Sequence, residues 1–381
     1  MTTTRFIHTA DWQLGMSRRF LGPEAQAVYN HDRLAAVRVL GSLVREHDAE
    51  FVVVAGDVFD DNAVERHHVL RALIELESVG VPVYLLPGNH DPLDPASVYG
   101  SRDFVEGKPG NVHVVTDQDP ISVAEGVELI GVPWLSKRTD PMRMSALLRS
   151  LEPGGGRRIL LAHGGTDEIF SGYSPATDSL RLADLEHSVE RGAVDYIALG
   201  DRHSVTSVGS TDRIWYSGSP ETTDFDDVET DSGSVLLVSL TDGDPEVRPL
   251  KVGKWSFRAV NARIDTEDDL ESLVARLDGL PDKSHTVLKI GLVGTVSVEL
   301  KARIDARLDR WSDTFASSFL RDSRSNLVVQ PDEVDFSDLV SGYAARAVDD
   351  LVEQVGSGGE TAEDAGNALS LLYRLAGGAA R

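Results

Sequence analysis

The first part of the chain alternates between short apolar runs and longer segments with a helical period. The runs RFIHTA, FVVVAG and VPVYLLPG are rich in β-branched residues and predict buried strands. Between them, NHDRLAAVRVLGSLVREH and VERHHVLRALIELESVG place apolar residues three and four positions apart, which predicts amphipathic helices. This strand–helix order predicts a mainly parallel sheet with helices on its faces.

The alternation continues with the strands VELIGVPW, RRILLAHG and VDYIALGD and the helices MRMSALLRSL and DSLRLADLEHSVERG. Two further segments, RIWYSGS and SGSVLLVSL, predict antiparallel strands. We therefore expect an α/β fold in which one sheet packs on another and helices cover both outer faces. This is a four-layer α/β/β/α sandwich over residues 1–254.

A second unit is predicted after Trp255, where the composition of the chain changes. The order strand SFRAVNARI, helix TEDDLESLVARLDG, strand HTVLKIGLVG and helix SVELKARIDARLDRW predicts a small α/β lobe over residues 255–334. Residues 335–381 predict two C-terminal helices joined by the glycine-rich hinge GSGGE. Apolar residues recur along these helices at helical spacing, which fits docking on their own lobe or binding of a partner.

The composition excludes several classes of protein. The chain of 381 residues contains no cysteine, so disulfides and thiolate metal sites are excluded. No apolar run is long enough for a transmembrane helix. The start MTTTRFIHTADW has neither the basic residues nor the apolar stretch of a signal peptide. We therefore expect a cytoplasmic protein without a membrane partner.

The net charge of −25 argues against attraction of the whole surface to nucleic acid, because like charges repel phosphate. It does not exclude a nucleic-acid enzyme, since bound divalent cations reverse the local field and a partner subunit can supply basic surface. Much of the acid lies in segments such as TTDFDDVETD, which we interpret as solvated surface.

Polar residues gather where five of the predicted strands end. The motifs are DWQ at Asp11, GDVFD at Gly56, GNHD at Gly88, AHGG at Ala162 and GDRH at Gly200. Each motif alone is a weak signal that often marks only a turn. Because parallel strands present ligands at their carboxyl ends, the ordered set predicts one functional site. The candidate residues are Asp11, Gln13, Asp57, Asp60, Asn89, His90, His163, Asp201 and His203.

Oxygen and nitrogen ligands of this kind suit two divalent cations about 4 Å apart that bind a phosphate and activate a water. Asp57, in a Gly-Asp turn, is the natural bridging carboxylate, and Asn89 and His163 complete one side. His90 follows Asn89 directly, so its side chain should point toward the substrate, where it could protonate the leaving oxygen as a general acid. Asp60 lies one turn beyond Asp57 and could hydrogen-bond His90 and fix its tautomer.

These motifs, in this order, resemble those of the calcineurin-like metallophosphoesterases. The downstream segment IWYSGSPETTDF resembles the SbcD-type DNA exonuclease subunits, and the resemblance covers about residues 4–250. It implies a DNA phosphodiesterase that uses two divalent cations, Mn²⁺ with Mg²⁺ as the alternative. It further implies that the small lobe is a capping domain and that the C-terminal helices bind an SbcC-like coiled-coil ATPase. We also expect a homodimer.

Carried over from the resemblance, site one comprises Asp11, Gln13, Asp57 and His203, site two comprises Asp57, Asn89, His163 and Asp201, and His90 is the catalytic histidine. Two positions depart from the family, which has histidine where this chain has Gln13 and Asp201. They fall on different metals, and both move the site toward oxygen ligands, hence toward Mn²⁺ or Mg²⁺ and away from Zn²⁺. We predict a retuned, active site because Asp57 and His90 are both present.

Four further residues are candidates for binding substrate. Arg18 and Arg19, in GMSRRF, follow the first ligand loop and could contact phosphate. Ser217 and Ser219, in the Tyr-x-Gly-Ser-Pro turn, could form the wall of the cleft or be purely structural. His8 lies inside the first strand, and we predict a hydrogen-bonded core histidine there and not a ligand.

Three functions remain open at this point. The leading one is a metal-dependent DNA exonuclease or endonuclease in DNA repair or processing. The second is a phosphodiesterase or phosphatase acting on a small nucleotide, which the acidic surface favours and the SGSP turn and second lobe disfavour. The third is a non-catalytic scaffold in which Gln13 and Asp201 have abolished metal binding.

Overall fold

The computed structural model describes residues 3–137, 141–168, 179–241, 243–330, 343–357 and 361–375. The chain forms two compact units. The larger unit consists of Met1–Arg19, Gln26–Asp224 and Val228–Trp255, and the smaller unit consists of Phe20–Ala25, Phe225–Asp227 and Ser256–Arg381. None of the helices within the described ranges combines the length and the apolarity needed to cross a membrane.

The elements as far as Lys251 follow the predicted alternation of strands and helices. In chain order they are β1 (Thr4–Thr9), α1 (Pro23–His47), β2 (Phe51–Val54), α2 (Arg66–Ser78), β3 (Val83–Leu85), α3 (Arg102–Gly107), β4 (Val112–Val114), β5 (Ile121–Ala124), β6 (Val127–Val132), α4 (Pro141–Ser150), β7 (Arg157–His163), α5 (Leu182–Glu190), β8 (Tyr196–Gly200), β9 (Thr206–Ser207), β10 (Ile214–Tyr216), β11 (Ser234–Leu240) and β12 (Glu246–Lys251).

These strands form two six-stranded sheets. The first has the order β12-β11-β1-β2-β3-β4, in which β1 to β4 are parallel and β11 and β12 are antiparallel. The second has the order β5-β6-β7-β8-β10-β9, in which β6, β7, β8 and β10 are parallel. The prediction for RIWYSGS is therefore wrong in part. That strand, β10, is antiparallel only to the short edge strand β9, because the chain turns back through β9 before pairing with β8.

The two sheets pack face to face. Phe6 stacks on Phe51 with ring centroids 5.0 Å apart and meets Tyr196 of the second sheet edge-on at 5.6 Å. Alternate residues such as Ile7 and Val52 point the other way, into a core that includes buried residues of α1 and α2. A separate hydrophobic core lies between the outer face of the second sheet and helices α4 and α5. The predicted four-layer α/β/β/α sandwich is therefore confirmed.

The smaller unit has its own parallel sheet. Its elements are β13 (Ser256–Arg263), α6 (Glu267–Asp278), β14 (Thr286–Ser297), α7 (Val298–Thr314), β15 (Ser317–Leu320), β16 (Asn326–Gln330), α8 (Tyr343–Ser357) and α9 (Ala362–Leu375). β14 pairs in parallel with β13, β15 and β16. The pattern predicted the first four of these elements and two C-terminal helices, and the structure adds β15 and β16 to the sheet.

The C-terminal helices pack within the smaller unit. Val298 of α7, Val348 of α8 and Leu369 of α9 form one buried cluster. The predicted boundary at residue 335 and the start of the first predicted tail helix lie outside the described residues. The division of residues 255–381 into a cap and a partner-binding tail stays a prediction.

His8 joins the two sheets of the larger unit. Its Nε2 donates to the main-chain carbonyl of Leu199 at 3.2 Å, and its Nδ1 accepts from the Tyr196 hydroxyl at 3.0 Å. A carbonyl can only accept, so the ring carries its proton on Nε2 and is neutral. Burial lowers the pKa of His8 to about 3. The predicted core histidine is confirmed.

We predict that His8→Gln makes the protein less sensitive to mild acid. The unfolded chain binds a proton on His8 near pH 6.5 and the folded chain only near pH 3, so folding loses stability as the pH falls between these values. From pH 6.5 to about pH 5 the wild type should lose about 1.5 kcal/mol through this residue. Urea unfolding at both pH values measures the difference.

His31→Gln, at an exposed histidine of α1, is the matched control and should follow the wild type. Equal loss of stability in the wild type and in His8→Gln would show that His8 does not set the acid sensitivity.

Candidate metal centre

The ends of strands from both sheets meet at one place. Asp11 follows β1, Asp57 follows β2, and His163 is the last residue of β7 in the second sheet. One ligand atom from each of these three buried residues lies within 4.8 Å of the other two. The structure thus brings together side chains that are far apart in sequence, as the strand-end motifs predict.

The backbone at four predicted ligands is left-handed. The φ angles are 55° at Asp11, 42° at Gln13, 54° at Asp57 and 95° at Asp201, and only seven non-glycine residues in the described ranges have positive φ. Main-chain hydrogen bonds from Asp11 to the carbonyl of Gly56, at 3.0 Å, and from Gln13 to that of Asp57, at 2.8 Å, hold the first two loops together. Strained backbone of this kind is concentrated at functional sites.

Two glycines of the motifs are required by close approach of neighbouring loops. A Cβ on Gly88, in GNHD, would lie 2.1 Å from Oδ1 of Asp57. A Cβ on Gly200, in GDRH, would lie 2.0 Å from the carbonyl oxygen of Ala55. Any side chain at these positions would push the ligand loops apart.

His163 presents one ring nitrogen to a group of oxygen atoms. Its Nδ1 donates to the main-chain carbonyl of Ala55 at 2.7 Å, so in the neutral ring Nε2 carries the lone pair. Nε2 lies 2.8 Å from Oδ1 of Asn89, 3.4 Å from Oδ2 of Asp57 and 3.8 Å from Oδ1 of Asp201. Acceptor atoms converge here, and such an arrangement needs a proton or a cation between them.

The buried charges are not balanced by the protein alone. Burial raises the pKa of Asp11 to about 7, although His203 and His163 act to lower it. Burial also opposes the charge of Asp57, but His163 and His90 outweigh it and lower the pKa of that carboxyl. The ring of His163 is disfavoured as a cation by burial, yet Asp57 and Asp11 raise its pKa well above the usual value. A cluster with this excess of negative charge favours bound cations.

Gln13 supplies the clearest test of whether a metal fits. The residue is buried, and within the described part of the chain no hydrogen-bond donor reaches its Oε1. Its Nε2 lies 3.5 Å from Nε2 of His203, whose same nitrogen is 3.8 Å from Oδ1 of Asp11. A buried amide oxygen without a donor is unfavourable by about 1–3 kcal/mol, and a cation would satisfy it. The donor set therefore fits divalent cations.

His90 is half-exposed beside the ligands. Its main-chain N–H donates to Oδ1 of Asp57 at 3.0 Å, and its Nε2 lies 4.0 Å from Oδ2 of Asp57. Its Nδ1 lies 2.7 Å from the main-chain carbonyl oxygen of Asp60. The motif predicted this hydrogen bond for the Asp60 carboxylate, and the structure places the main-chain oxygen there instead. The tautomer is still fixed as expected, because the carbonyl only accepts and the proton of the neutral ring therefore lies on Nδ1.

Asp91 is a functional-site residue that was not predicted from the sequence. The fully buried carboxylate accepts from the Gly88 N–H at 2.8 Å, the Phe59 N–H at 3.1 Å and the Tyr99 hydroxyl at 2.6 Å. It thereby ties the loop that carries Asp57 to the loop that carries Asn89. Asp91 is the last residue of the GNHD motif, so the motif itself could have pointed to it.

The structure gives Ser217 and Ser219 a structural role. Both are fully buried, so neither faces a substrate. The hydroxyl of Ser217 donates to the carbonyl of Gly218 at 3.1 Å, and that of Ser219 lies 2.8 Å from the carbonyl of Asp11. Their prediction as substrate-binding residues is corrected on this ground. Ser219 instead holds the Asp11 loop in place.

The two candidate arginines differ in their surroundings. The Arg18 guanidinium donates to the main-chain carbonyl of Thr223, so part of its hydrogen-bonding capacity is used within the protein. Arg19 is exposed to solvent. A role for either residue in binding phosphate stays a prediction.

Comparison with known proteins agrees with this geometry. Residues 4–205, more than half of the chain, match the family described as calcineurin-like phosphoesterase. The SbcD subunit of the nuclease SbcCD of Escherichia coli (strain K12) is 24% identical over 308 residues, covering 70% of this chain and 74% of that protein. The DNA double-strand break repair protein Mre11 of Haloferax volcanii is 26% identical over 280 residues, covering 72% of this chain and 58% of that protein.

A third relative is the DNA double-strand break repair protein Mre11 of Sulfurisphaera tokodaii. It is 23% identical over 268 residues, which cover 66% of this chain and 64% of that protein. The family match spans the strands and loops that carry the ligand cluster, from β1 to the loop after β8. The chain belongs to the calcineurin-like phosphoesterase family.

Proposed function

We propose that this protein is a metal-dependent DNA exonuclease or endonuclease that hydrolyses phosphodiester bonds in DNA repair or processing. The observation that carries the proposal is the convergence of buried ligand atoms of Asp11, Asp57 and His163 within 4.8 Å of one another. The buried Oε1 of Gln13, which has no hydrogen-bond donor among the described residues, supports it. The nuclease and repair functions named for the relatives support DNA as the substrate.

The proposed ligands form two sites that share Asp57. Site one consists of Asp11, Gln13, Asp57 and His203, and site two consists of Asp57, Asn89, His163 and Asp201. The oxygen-rich set favours Mn²⁺, with Mg²⁺ as the alternative. When bound, the cations supply Lewis acidity toward the phosphate and lower the pKa of a water molecule.

His90 is proposed to deliver a proton to the leaving oxygen. The Asp60 carbonyl holds the ring through the Nδ1 proton, so the proton that His90 delivers is a second one, carried on Nε2 of the imidazolium. The half-exposed position of the ring lets Nε2 reach a bound phosphodiester, and the transfer leaves the ring neutral with its proton on Nδ1. Asp57 fixes the same residue from the other side through the His90 N–H. Arg19, exposed at the end of the first ligand loop, is proposed to contact phosphate together with Arg18.

We further propose that an SbcC-like coiled-coil ATPase and a second copy of the chain are partners. The E. coli relative is by name one subunit of a nuclease. Tyr343 and Leu375, on the C-terminal helices of the smaller unit, are exposed apolar residues that suit the coiled-coil partner. Ile74 of α2 and Val105 of α3 are exposed apolar residues of the larger unit and suit a self-association surface.

A second candidate function is hydrolysis of a small nucleotide. The net charge of −25 favours it, because a short substrate is repelled less than a DNA duplex. A non-catalytic scaffold is the third candidate, and it would require Gln13 and Asp201 to have abolished metal binding.

Metal-stripped protein incubated with Mn²⁺, Mg²⁺ or Zn²⁺ and end-labelled linear DNA tests the proposal. We expect the wild type to cleave DNA in a Mn²⁺-dependent reaction. The variant Asp57→Asn should lose both metal binding and cleavage. His90→Gln should slow cleavage by about 100-fold or more while Mn²⁺ still binds, because only the proton donor is removed. His67→Gln, at an exposed histidine of α2, is the control and should keep wild-type activity.

If the protein binds metal but does not cleave DNA, with or without an SbcC-like ATPase, small nucleotides become the favoured substrate. Absence of bound metal by elemental analysis, together with no cleavage, would overturn the catalytic proposal.

A separate prediction concerns Asp60. The main-chain carbonyl, and not the carboxylate, contacts His90, so Asp60→Asn should reduce cleavage by less than about tenfold. Single-turnover rates of Asp60→Asn and His90→Gln measured side by side give the comparison. An equal loss in the two variants would restore the carboxylate to the catalytic role that the sequence predicted.

The two departures from the family predict a change in metal preference. Gln13→His replaces a neutral amide oxygen with an imidazole and should raise the affinity for Zn²⁺ relative to Mg²⁺ by at least about tenfold. Asp201→His should act in the same direction at the other metal. Calorimetric titration of metal-stripped protein measures both affinities.

Gln26→His is the matched control, because Gln26 bonds the Arg18 N–H and the Met16 carbonyl outside the ligand set. If Gln13→His leaves the ratio unchanged while Asp57→Asn abolishes binding, Gln13 is not a ligand.

A further inference from the structure

A buried carboxylate lies behind His203. Glu229 is only 5% exposed, although it belongs to the segment TTDFDDVETD that its composition led us to interpret as solvated surface. Both of its oxygens bind Thr223: Oε1 accepts from the Thr223 main-chain N–H at 3.1 Å and Oε2 from the hydroxyl at 2.6 Å. A carboxylate is buried in this way only where hydrogen bonds replace its water.

The hydrogen bonds around Thr223 have one consistent direction. The Thr223 hydroxyl has a single hydrogen, which it donates to the Glu229 carboxylate. Its oxygen also lies 2.5 Å from Nδ1 of His203, so it must accept from that nitrogen. Oε2 of Glu229 is itself 3.3 Å from the same Nδ1. The proton of the neutral His203 ring therefore sits on Nδ1.

The consequence appears at the other ring nitrogen of His203. With the proton on Nδ1, Nε2 presents a lone pair toward Oδ1 of Asp11 at 3.8 Å and toward the amide of Gln13 at 3.5 Å. Arg18 helps to hold Thr223 in position, because its guanidinium donates to the Thr223 main-chain carbonyl. The ring is thus held in the tautomer and orientation that a metal ligand requires.

We propose that Glu229, acting through Thr223, is the positioning residue of His203 and strengthens it as a ligand beside the weak amide donor Gln13. The inference rests on the proposed two-cation site. A carboxylate that draws on the Nδ1 proton makes Nε2 a better electron-pair donor. Such support matters most where another ligand of the same metal is a neutral amide oxygen.

The second ligand histidine lacks this support. Nδ1 of His163 donates to the neutral main-chain carbonyl of Ala55 at 2.7 Å. Removal of the Glu229 charge should therefore affect the metal held by His203 and leave the metal held by His163 unchanged. This selectivity distinguishes positioning of one ligand from general destabilisation of the fold.

Calorimetric titration of the metal-stripped full-length chain with Mn²⁺ tests the inference. The wild type should bind two ions, and Glu229→Gln and Thr223→Val should each weaken one of the two by about 10- to 100-fold. Thr223→Ser keeps the hydroxyl and should restore the wild-type affinity. The double variant Glu229→Gln/Thr223→Val should be no weaker than either single variant, because both changes break the same chain of hydrogen bonds.

Glu221→Gln is the matched control. Glu221 is a similarly buried carboxylate that immediately precedes this segment, but it accepts from the main-chain N–H groups of Thr222, Lys254 and Trp255 and has no bond to His203 among the described residues. Glu221→Gln should lower the melting temperature and leave both Mn²⁺ affinities unchanged.

Two results would overturn the inference alone: unchanged affinities in Glu229→Gln and Thr223→Val, or equal weakening in Glu221→Gln. A wild-type chain that binds no Mn²⁺ would overturn the proposed function together with the inference, so the two failures are distinguishable.

Discussion

Burial of several carboxylates beside two imidazoles is the constraint on which the rest of the site depends. Asp11 and Asp57 are buried, Asp201 is partly so, and their oxygens converge with Nε2 of His163 within a few ångström. Like charges at such distances repel strongly in a medium of low dielectric constant. Burial is the main cause of the raised pKa of Asp11, and Asp57 and Asp201 add to it. Burial lowers the pKa of His163, but Asp57 and Asp11 outweigh it and raise that pKa, so a bound proton partly neutralises the cluster. Divalent cations would do so more completely, which is why the geometry and the family agree on metal chemistry.

The packing of the two sheets sets the geometry of this cluster. Asp11 comes from the first sheet and Asp201 from the second, and the Asp201 N–H donates to both Asp11 carboxylate oxygens at 3.1 Å. His8, three residues before Asp11, bridges the same two sheets through Tyr196 and Leu199. The strand ends therefore cannot shift against each other without breaking bonds in the core. The same contacts therefore stabilise the sandwich and align the predicted ligands.

Patterns in the sequence predicted the sheets and the polar motifs at the strand ends, because periodicity and local turns are short-range properties. They did not predict which acidic residues are buried. Glu229 and Asp91 lie in segments that resemble surface or the end of a motif, and only the fold reveals that they are buried and bonded to Thr223 and Gly88. The same limit applies to Ser219, whose burial follows from the approach of a distant loop. Asp60 shows a second limit of sequence analysis. The sequence cannot show whether the carboxylate or the main-chain oxygen of this residue contacts His90.

The departures Gln13 and Asp201 can be interpreted as adaptation or as decay, and their surroundings favour adaptation. A glutamine retained only for structure would satisfy its buried amide oxygen with a donor, yet within the described ranges Oε1 of Gln13 has none. Nε2 of His203 lies 3.5 Å from the side-chain amide nitrogen of Gln13, and the ring is held there through its other nitrogen. Asp57 and His90 keep their mutual hydrogen bond. The left-handed backbone at Asp57 and Asp201 belongs to the loops that bring these carboxylates to His163.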